Sequence, residues 1–328
     1  MKRRDFMRLG AGLAAAAAVS PARAQAKSVF KASDVQPAGY PTVVAAENLG
    51  KKLEAATQGR LSVQMFPSMQ LGGEKETIEQ TQIGAIQMLR VSVGAMGPIV
   101  DDINVVNMPF LFKHTAHAQK MMDGPIGQEL LDKITASPNA GLVALSWMDS
   151  GARSLYNTKK PIKTIEDLKG LKFRVIGNPI FVDMMNALGG NGVAMGYDQV
   201  FSALQTGVID GAENNPPSYV FSNHYTAAKY YSLTEHLIIP EVLLFSKKAW
   251  TSLSSDDQGL IKKFAREAQL EQRELWQKYE LQAMEKAKAA GCEITEIPDK
   301  TPFQNAVKPV WDKYGPKYQD MIKRIQAI

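Results

Sequence analysis

The sequence predicts an α/β fold of two similarly built lobes braced by one long helix, and three observations carry that reading. A strand–helix–strand–helix–strand order runs through residues 29–91, a related order recurs over 165–209, and a helical periodicity runs from about 254 to 290. Parallel strands need helical crossovers, so the first two runs point to open α/β layers.

The individual elements follow from residue pattern. In the first run Val29 to Ala32 reads as a strand, and Tyr40 to Thr57 reads as a helix because Val43, Ala46, Leu49, Leu53 and Ala56 share one face before Gln58 and Gly59 stop it. Leu61 to Phe66 alternates as a strand, Leu71 to Gly73 turns, Glu74 to Gln82 is a helix with acidic residues in its first turn, and Ile86 to Val91 is a strand. In the second run Thr164 caps a short helical turn from Ile165 to Leu168. Lys172 to Val175 then reads as a strand, Asn178 to Leu188 as a helix, Gly192 to Met195 as a strand and Tyr197 to Thr206 as a helix, with a further strand beginning at Ile209. The runs share a short signature: Gln82-Ile83-Gly84-Ala85-Ile86 against Gln205-Thr206-Gly207-Val208-Ile209. Each puts a glycine between a helix end and a strand start, where a positive φ costs least, and places Arg90 and Glu213 at equal offsets beyond it. The match is too short to establish a repeat by itself.

Ser254, Ser255, Asp256 and Asp257 are cap-type residues ahead of a helix on which Ile261, Phe264, Ala268, Leu275 and Tyr279 recur near helical spacing. Such a helix exceeds about 45 Å and either braces both lobes or extends into a dimer contact. Glu293 to Glu296 reads as a short strand, and Val307 to Ile325 as a closing helix after the loop holding Pro298 and Pro302.

Composition and charge exclude several functions. Hydrophobic residues make up 45% of the 328, too many for a disordered chain, and the single cysteine, Cys292, rules out an intramolecular disulfide. The formal charge of +5 lies mostly in the first 24 residues, where Lys2, Arg3, Arg4, Arg8 and Arg23 face only Asp5. The remainder holds 33 basic and 32 acidic residues, so no basic excess is left to wrap a nucleic acid. Those first residues read as a signal peptide over 1–24: a basic start resembling a twin-arginine signal, an apolar stretch from Leu9 to Val19 too short to span a bilayer, and the small-x-small triplet Ala22-Arg23-Ala24. The mature chain is therefore expected in a bacterial periplasm, not inserted in the membrane.

No enzyme signature emerges. Gly72-Gly73-Glu74-Lys75 lacks the spacing of a phosphate loop, Gly94-Ala95-Met96-Gly97 is not a dinucleotide fingerprint, and no Gly-x-Ser-x-Gly elbow occurs. His114 and His117 stand alone as a metal spacing and suit a cap better than a zinc site. No cofactor or metal is expected. What remains is polar chemistry at element ends. Arg174 stands near the end of its strand, where a guanidinium fork matches a carboxylate. Arg153 follows the apolar run Leu142 to Trp147, and Asp210 through Pro217 form a polar segment in which Asn214 both donates and accepts.

Four segments together resemble the solute-binding proteins of tripartite ATP-independent periplasmic (TRAP) transporters, the branch associated with C4-dicarboxylates and sugar acids. They are Gln70-Leu71-Gly72-Gly73-Glu74-Lys75-Glu76, Met108-Pro109-Phe110-Leu111-Phe112, Asp167 through Val175, and Ala203 through Asn214. The resemblance implies a two-lobed periplasmic solute-binding fold with an interlobe ligand cleft. It implies one lobe of residues 27–150 plus 240–254, a second of 151–239 plus 290–328, and a helix over 255–289 spanning both. It also implies that Arg174 holds a ligand carboxylate, with Arg153 as a second basic residue and Asn214 as a polar reader, and that the partners are an acidic solute and the transporter's membrane subunits. Many members carry a histidine after the first strand where this chain reads Ser33-Asp34-Val35, so contacts from that loop are left open. Glu74, Arg90, Asp149, Asn178, Glu213, Asn214 and Asn215 are candidate hydroxyl readers, and Tyr40, Trp147, Phe173 and Tyr219 are candidates to line a sugar face. The segment from Asn214 to Tyr219, with His236 and Pro240-Glu241, is similar to uronate-binding members. The expected solute is D-glucuronate or D-galacturonate, with a C4-dicarboxylate or another hydroxy acid as the alternative. A periplasmic enzyme or a sensor's ligand-binding subunit is the remaining function class.

Overall fold

The computed structural model describes residues 27–328; the signal peptide expected over 1–24 lies outside the described residues. Eleven strands form two sheets. The first comprises β1 (Ser28–Ser33), β2 (Leu61–Phe66), β3 (Met88–Ser92), β4 (Leu142–Met148) and β10 (Glu241–Ser246), in the order β2-β1-β3-β10-β4. The second comprises β5 (Arg153–Asn157), β6 (Lys172–Val175), β7 (Asn191–Ala194), β8 (Gly211–Asn214), β9 (Tyr230–Leu237) and β11 (Glu293–Thr295), in the order β11-β9-β5-β8-β6-β7.

The glycine signature marks a repeated topology. In the first sheet β1 pairs in parallel with β2 and β3, and β10 runs antiparallel to β3. In the second, β6 pairs in parallel with β7 and β8, and β5 runs antiparallel to β8. Thus β2-β1-β3-β10-β4 and β7-β6-β8-β5-β9 are the same arrangement. Gly84 and Gly207, at φ +84° and +76°, occupy equivalent left-handed turns before β3 and β8. Arg90 on β3 and Glu213 on β8 are equivalent positions, and so are the next helix caps. Ser92 accepts from Gly94 N–H, and Asn215 accepts from Ser218 N–H.

The chain crosses between the sheets three times, at 149–152, at 238–240 and through the helix Ser255–Ala289 that leads from β10 to β11, and Ser150 Oγ donates to Ile239 O between the first two crossings. The helix Ser255–Ala289 lies across both lobes. It has 35 residues, about 52 Å, with Ser254 Oγ capping Asp257 N–H, Asp256 and Asp257 in its first turn, and Lys286 and Lys288 in its last. Its first half, with Ile261, Phe264, Ala265 and Ala268, packs with Phe30, Leu49, Leu53 and Phe245 of the first lobe. Its last turns place Ala283 and Ala287 against Tyr156, Tyr219 and Tyr231 of the second. It is a brace between lobes.

Three sequence expectations are corrected. The closing helix expected over Val307–Ile325 is split into Lys308–Tyr314 and Gln319–Gln326 by a 3-10 turn at Gly315–Tyr318, because Pro316 cannot continue an α-helix in place, and the stretch read as a loop around Pro302 holds a short helix of its own, Thr301–Ala306, with the proline in its first turn. The helix expected from Tyr197 begins as a 3-10 turn and becomes α-helical over Val200–Thr206. The strand expected from Ile209 starts at Gly211, where Phe173 packs so closely that a Cβ would sit 2.5 Å from its ring.

Candidate functional site

The carboxyl ends of the parallel strands in both sheets meet at one cleft, the position at which open α/β layers receive ligands. From the first lobe, Val35 and Gln36 follow β1, Glu74 opens the helix Glu74–Gln82, Arg90 and Ser92 end β3, and Glu241 begins β10. From the second, Arg153 begins β5, Arg174 stands near the end of β6 with Ile176 just beyond it, Tyr197 follows β7, Asn214 ends β8, and Ser218 lies in the helix Pro216–Phe221. The cavity between them, counted as space for the centre of a water molecule, is about 20 Å³. One water needs roughly 10–15 Å³ by that measure. Admitting a six-carbon acid therefore requires the lobes to part or the lining side chains to turn.

Three guanidinium groups are buried here, and their surroundings differ. Arg90 is charge-paired: Nε donates to Asp34 Oδ2 at 2.9 Å, Nη2 to Asp34 Oδ1, and Nη1 to Glu241 Oε2 at 2.6 Å, with Glu74 Oε1 3.9 Å away. Arg153 is charge-paired too. Its Nε and Nη2 clasp Glu213 at 2.6 and 2.8 Å, and Nη1 donates to Asn214 Oδ1 at 2.7 Å. Arg174 donates only from Nε, to Met195 O at 2.8 Å, and lies 5.7 Å from the Tyr197 ring centre. Among the described residues Nη1 and Nη2 of Arg174 have no hydrogen-bond or ion-pair partner, although the side chain is 3% exposed.

The acid–base balance follows this pattern. Burial pulls all three guanidinium groups down. For Arg90 the carboxylates of Asp34, Glu241 and Glu74 outweigh burial, and for Arg153 Glu213 does, so both end above the ordinary arginine value. Arg174 ends below it, because burial dominates, Glu213 only partly compensates, and the Arg153 charge adds to the loss. Arg174 is a buried cation that lacks a counter-ion, the costly state that an incoming carboxylate relieves.

Five of the sequence candidates line this cleft: Arg174, Arg153, Asn214, Glu74 and Arg90. The others lie elsewhere. Glu213 is consumed by Arg153 and does not reach the cleft lining. Asp149 sits at the first crossing, bound by Gln119 at 2.7 Å and Arg273 at 3.0 Å, and Gln272 caps both its backbone groups. Asn178 caps the helix Pro179–Ala187 and donates to Gly94 O and Asn104 Oδ1, while Asn215 caps the next helix. Trp147 is in the core with Nε1 on Gly127 O, and Tyr219 is in the second-lobe core with its hydroxyl on Ala228 O. Phe173 is fully buried because side chains alternate along a strand, which turns it away from its neighbour Arg174. Tyr40 is buried beside the cleft and shares Ser218 Oγ with Gln36 Nε2. The His114–His117 pair is a helix cap, with His114 Nδ1 accepting from His117 N–H.

Sequence reasoning missed Gln36, Ser92, Tyr197 and Ser218 as lining residues. Ser92 had a signal: it stands eight residues after Gly84, as Asn215 stands after Gly207. Gln36 is held at the cleft by Asp34, which binds Arg90 and accepts from Gln36 N–H at 2.8 Å.

Comparison with known proteins gives the family. Residues 32–317 match the sequence model described as bacterial extracellular solute-binding protein, family 7. A TRAP periplasmic solute-binding protein from Pseudomonas putida F1, solved with bound D-glucuronate, is 56% identical with a TM-score of 0.90, covering 92% of this chain and 97% of that one. One from Xanthobacter autotrophicus Py2 with bound β-D-galacturonate is 45% identical with a TM-score of 0.87, covering 91% and 99%. A Citrobacter koseri protein matches at 48% identity and TM-score 0.90 with bound D-glucuronate, covering 92% and 99%, but at 0.80 in its apo, open structure, covering 91% and 98%. The lobes of this chain therefore stand nearer the glucuronate-bound arrangement than the open one. Among the described residues no helix is long and apolar enough to cross a membrane. The chain belongs to family 7 of the bacterial extracellular solute-binding proteins, as a non-catalytic periplasmic binding protein of a TRAP transporter for small organic acids.

Proposed function

We propose that the solute is a hexuronate, D-glucuronate or D-galacturonate, and that the protein delivers it to the membrane subunits of its transporter. The observation that carries this reading is the buried, unpartnered Arg174 guanidinium facing a cleft otherwise rich in hydrogen-bonding groups. The solute's carboxylate takes both Arg174 Nη atoms in a bidentate pair. Asn214 supports it: its Oδ1 is held by Arg153, so its amide donors are oriented by a fixed partner. Ser92, Gln36, Glu74 and Glu241 then meet the ring hydroxyls. Bound D-glucuronate or D-galacturonate in relatives 38–56% identical to this chain supports the same class. Lobes of 27–150 plus 240–254 and 151–239 plus 290–328 move about the crossings at 149–152 and 238–240, and closure strips water from the Arg174–carboxylate pair.

Isothermal titration of the mature chain against D-glucuronate, D-galacturonate, succinate and L-malate tests this. Saturable binding of a uronate, with the sugar recovered unchanged, is the expected result. Binding of succinate or malate in preference to both uronates refutes the hexuronate assignment, and conversion of the sugar refutes simple binding. A thermal shift gives the same answer: at 100 times Kd the native state gains about 2.7 kcal/mol.

A further inference from the structure

The charge along the cleft is asymmetric. At the second-lobe side Arg174 carries a free cationic edge. At the first-lobe side three carboxylates, Asp34, Glu74 and Glu241, surround the single guanidinium of Arg90. Asp34 is fully engaged, with both oxygens on Arg90 and further donors from Thr42 and Gln36. The other two are half engaged. Glu74 Oε1 accepts from Ser92 N–H at 2.8 Å and Glu241 Oε2 accepts from Arg90, while Glu74 Oε2 and Glu241 Oε1 have no donor among the described residues. Among the described residues no other lysine or arginine lines the cleft, and the charges of Arg90 and Arg153 are already matched by Asp34 and Glu241 and by Glu213.

An ionised carboxylate oxygen only accepts hydrogen bonds, so each free oxygen needs a donor from the solute. A hydroxyl supplies one. A second carboxylate supplies none and brings a like charge into a buried acidic pair. We infer that Glu74 and Glu241 make this site selective for monoacids, taking the hydroxylated end of the solute opposite Arg174 and rejecting a second carboxylate there. The inference rests on the reading that Arg174 holds the solute's carboxylate. It goes further in fixing the solute's direction, with the anomeric end of a uronate toward the first lobe, and in excluding diacids of the same length.

The test separates charge from ring shape by using matched open-chain acids that differ only at one end, D-gluconate (CH2OH) and D-glucarate (COO⁻). Each is titrated at pH 8 by displacement of D-glucuronate from the wild type and from Glu74→Gln and Glu241→Gln. A like charge about 5 Å away in a partly buried site weakens binding on the order of 100-fold. Glucarate is therefore expected to bind about 100-fold more weakly than gluconate to the wild type, and each variant should improve the glucarate-to-gluconate ratio at least about 10-fold. Glu241→Gln unpairs part of Arg90, so if it fails to fold, Glu74→Gln alone decides; its amide oxygen still accepts from Ser92. An unchanged ratio in a variant that still binds D-glucuronate overturns the inference and leaves the uronate reading standing. Failure of both open-chain acids to bind any of the three proteins overturns it equally, since removing the charge should admit glucarate. Failure of the wild type to bind either uronate overturns the reading beneath it as well.

Discussion

Removing Arg174 should abolish tight binding without harming the fold, and this combination separates a ligand anchor from a structural arginine. In Arg174→Ala the protein loses one hydrogen bond, Nε to Met195 O, and one contact with the Tyr197 ring. Against that it is relieved of a buried charge with no counter-ion, so the unliganded melting temperature should stay level or rise. Affinity behaves differently. Truncating one partner of a buried charged pair costs about 2–5 kcal/mol, a loss of roughly 30-fold to several thousand-fold in Kd. Arg174→Lys should recover only part of this, because a point charge cannot replace the planar fork. Titration calorimetry with D-glucuronate and scanning calorimetry of the free protein read the two halves. Retained affinity within about threefold refutes the anchoring role, and a stability loss like that of Arg153→Ala refutes the claim that Arg174 lacks a protein partner.

The contrast with its neighbour is itself a prediction: Arg153→Ala strands Glu213 in the core, and urea denaturation should show a loss of about 3–5 kcal/mol. Acid should destabilise the protein through two buried histidines. Burial lowers His224 to about 3, helped by the Arg174 charge, and His236 to about 4, against the pull of Glu213 3.8 Å away. Unfolded, each titrates near 6.5, so between pH 6.5 and 4 the unfolded chain binds the extra protons and stability falls with acid, by about 3 kcal/mol per histidine at pH 4. His224→Gln should remove roughly half of that slope in a Tm-against-pH series. Gly151→Ala, at the first crossing, should cost about 1–2 kcal/mol, since Gly151 has φ +61° and a Cβ there would lie 2.6 Å from Glu280 Oε1 and 3.0 Å from Trp276 Nε1. Ser218→Ala removes the shared partner of Gln36 and Tyr40 across the lobes, so small-angle scattering of the free protein should show a larger radius of gyration.

Much of the fold was legible because its elements are set by local pattern. β2 and the helix Glu74–Gln82 were readable to the residue, and the long helix announced itself by its Ser-Asp start and sustained period. What pattern could not supply was which partner each polar side chain finds. Asp149 and Glu213 look like free acids in the sequence, yet Arg273 and Arg153 claim them from 124 and 60 residues away. Trp147, Phe173 and Tyr219 look like sugar-stacking rings, but strand alternation and the demand of a buried Tyr or Trp for a carbonyl acceptor put them in the core. The strand-end position of Arg174 was visible. Its lack of a counter-ion was not, because that is a property of everything packed around it.

The same tertiary pairing explains why a solute should govern closure. The first-lobe side of the cleft carries more carboxylate than guanidinium, with Asp34, Glu74 and Glu241 around Arg90, and the second-lobe side carries more guanidinium than carboxylate, with Arg153 and Arg174 beside Glu213. Bringing the lobes together joins opposite fields, and Glu74 helps to hold the Arg174 charge in place across the gap. Closing also strips water from Arg174, and Glu74 is engaged with Ser92 and stands near Arg90, so it does not form an ion pair with Arg174. Closure without solute therefore sets a long-range attraction against the desolvation of an unpaired cation. An incoming carboxylate turns the opposing contribution into a charge-assisted bidentate bond while leaving the attraction intact. On the proposed reading the lobe equilibrium shifts by the difference in the solute's affinity for the two states, and the Arg174–carboxylate pair supplies that difference.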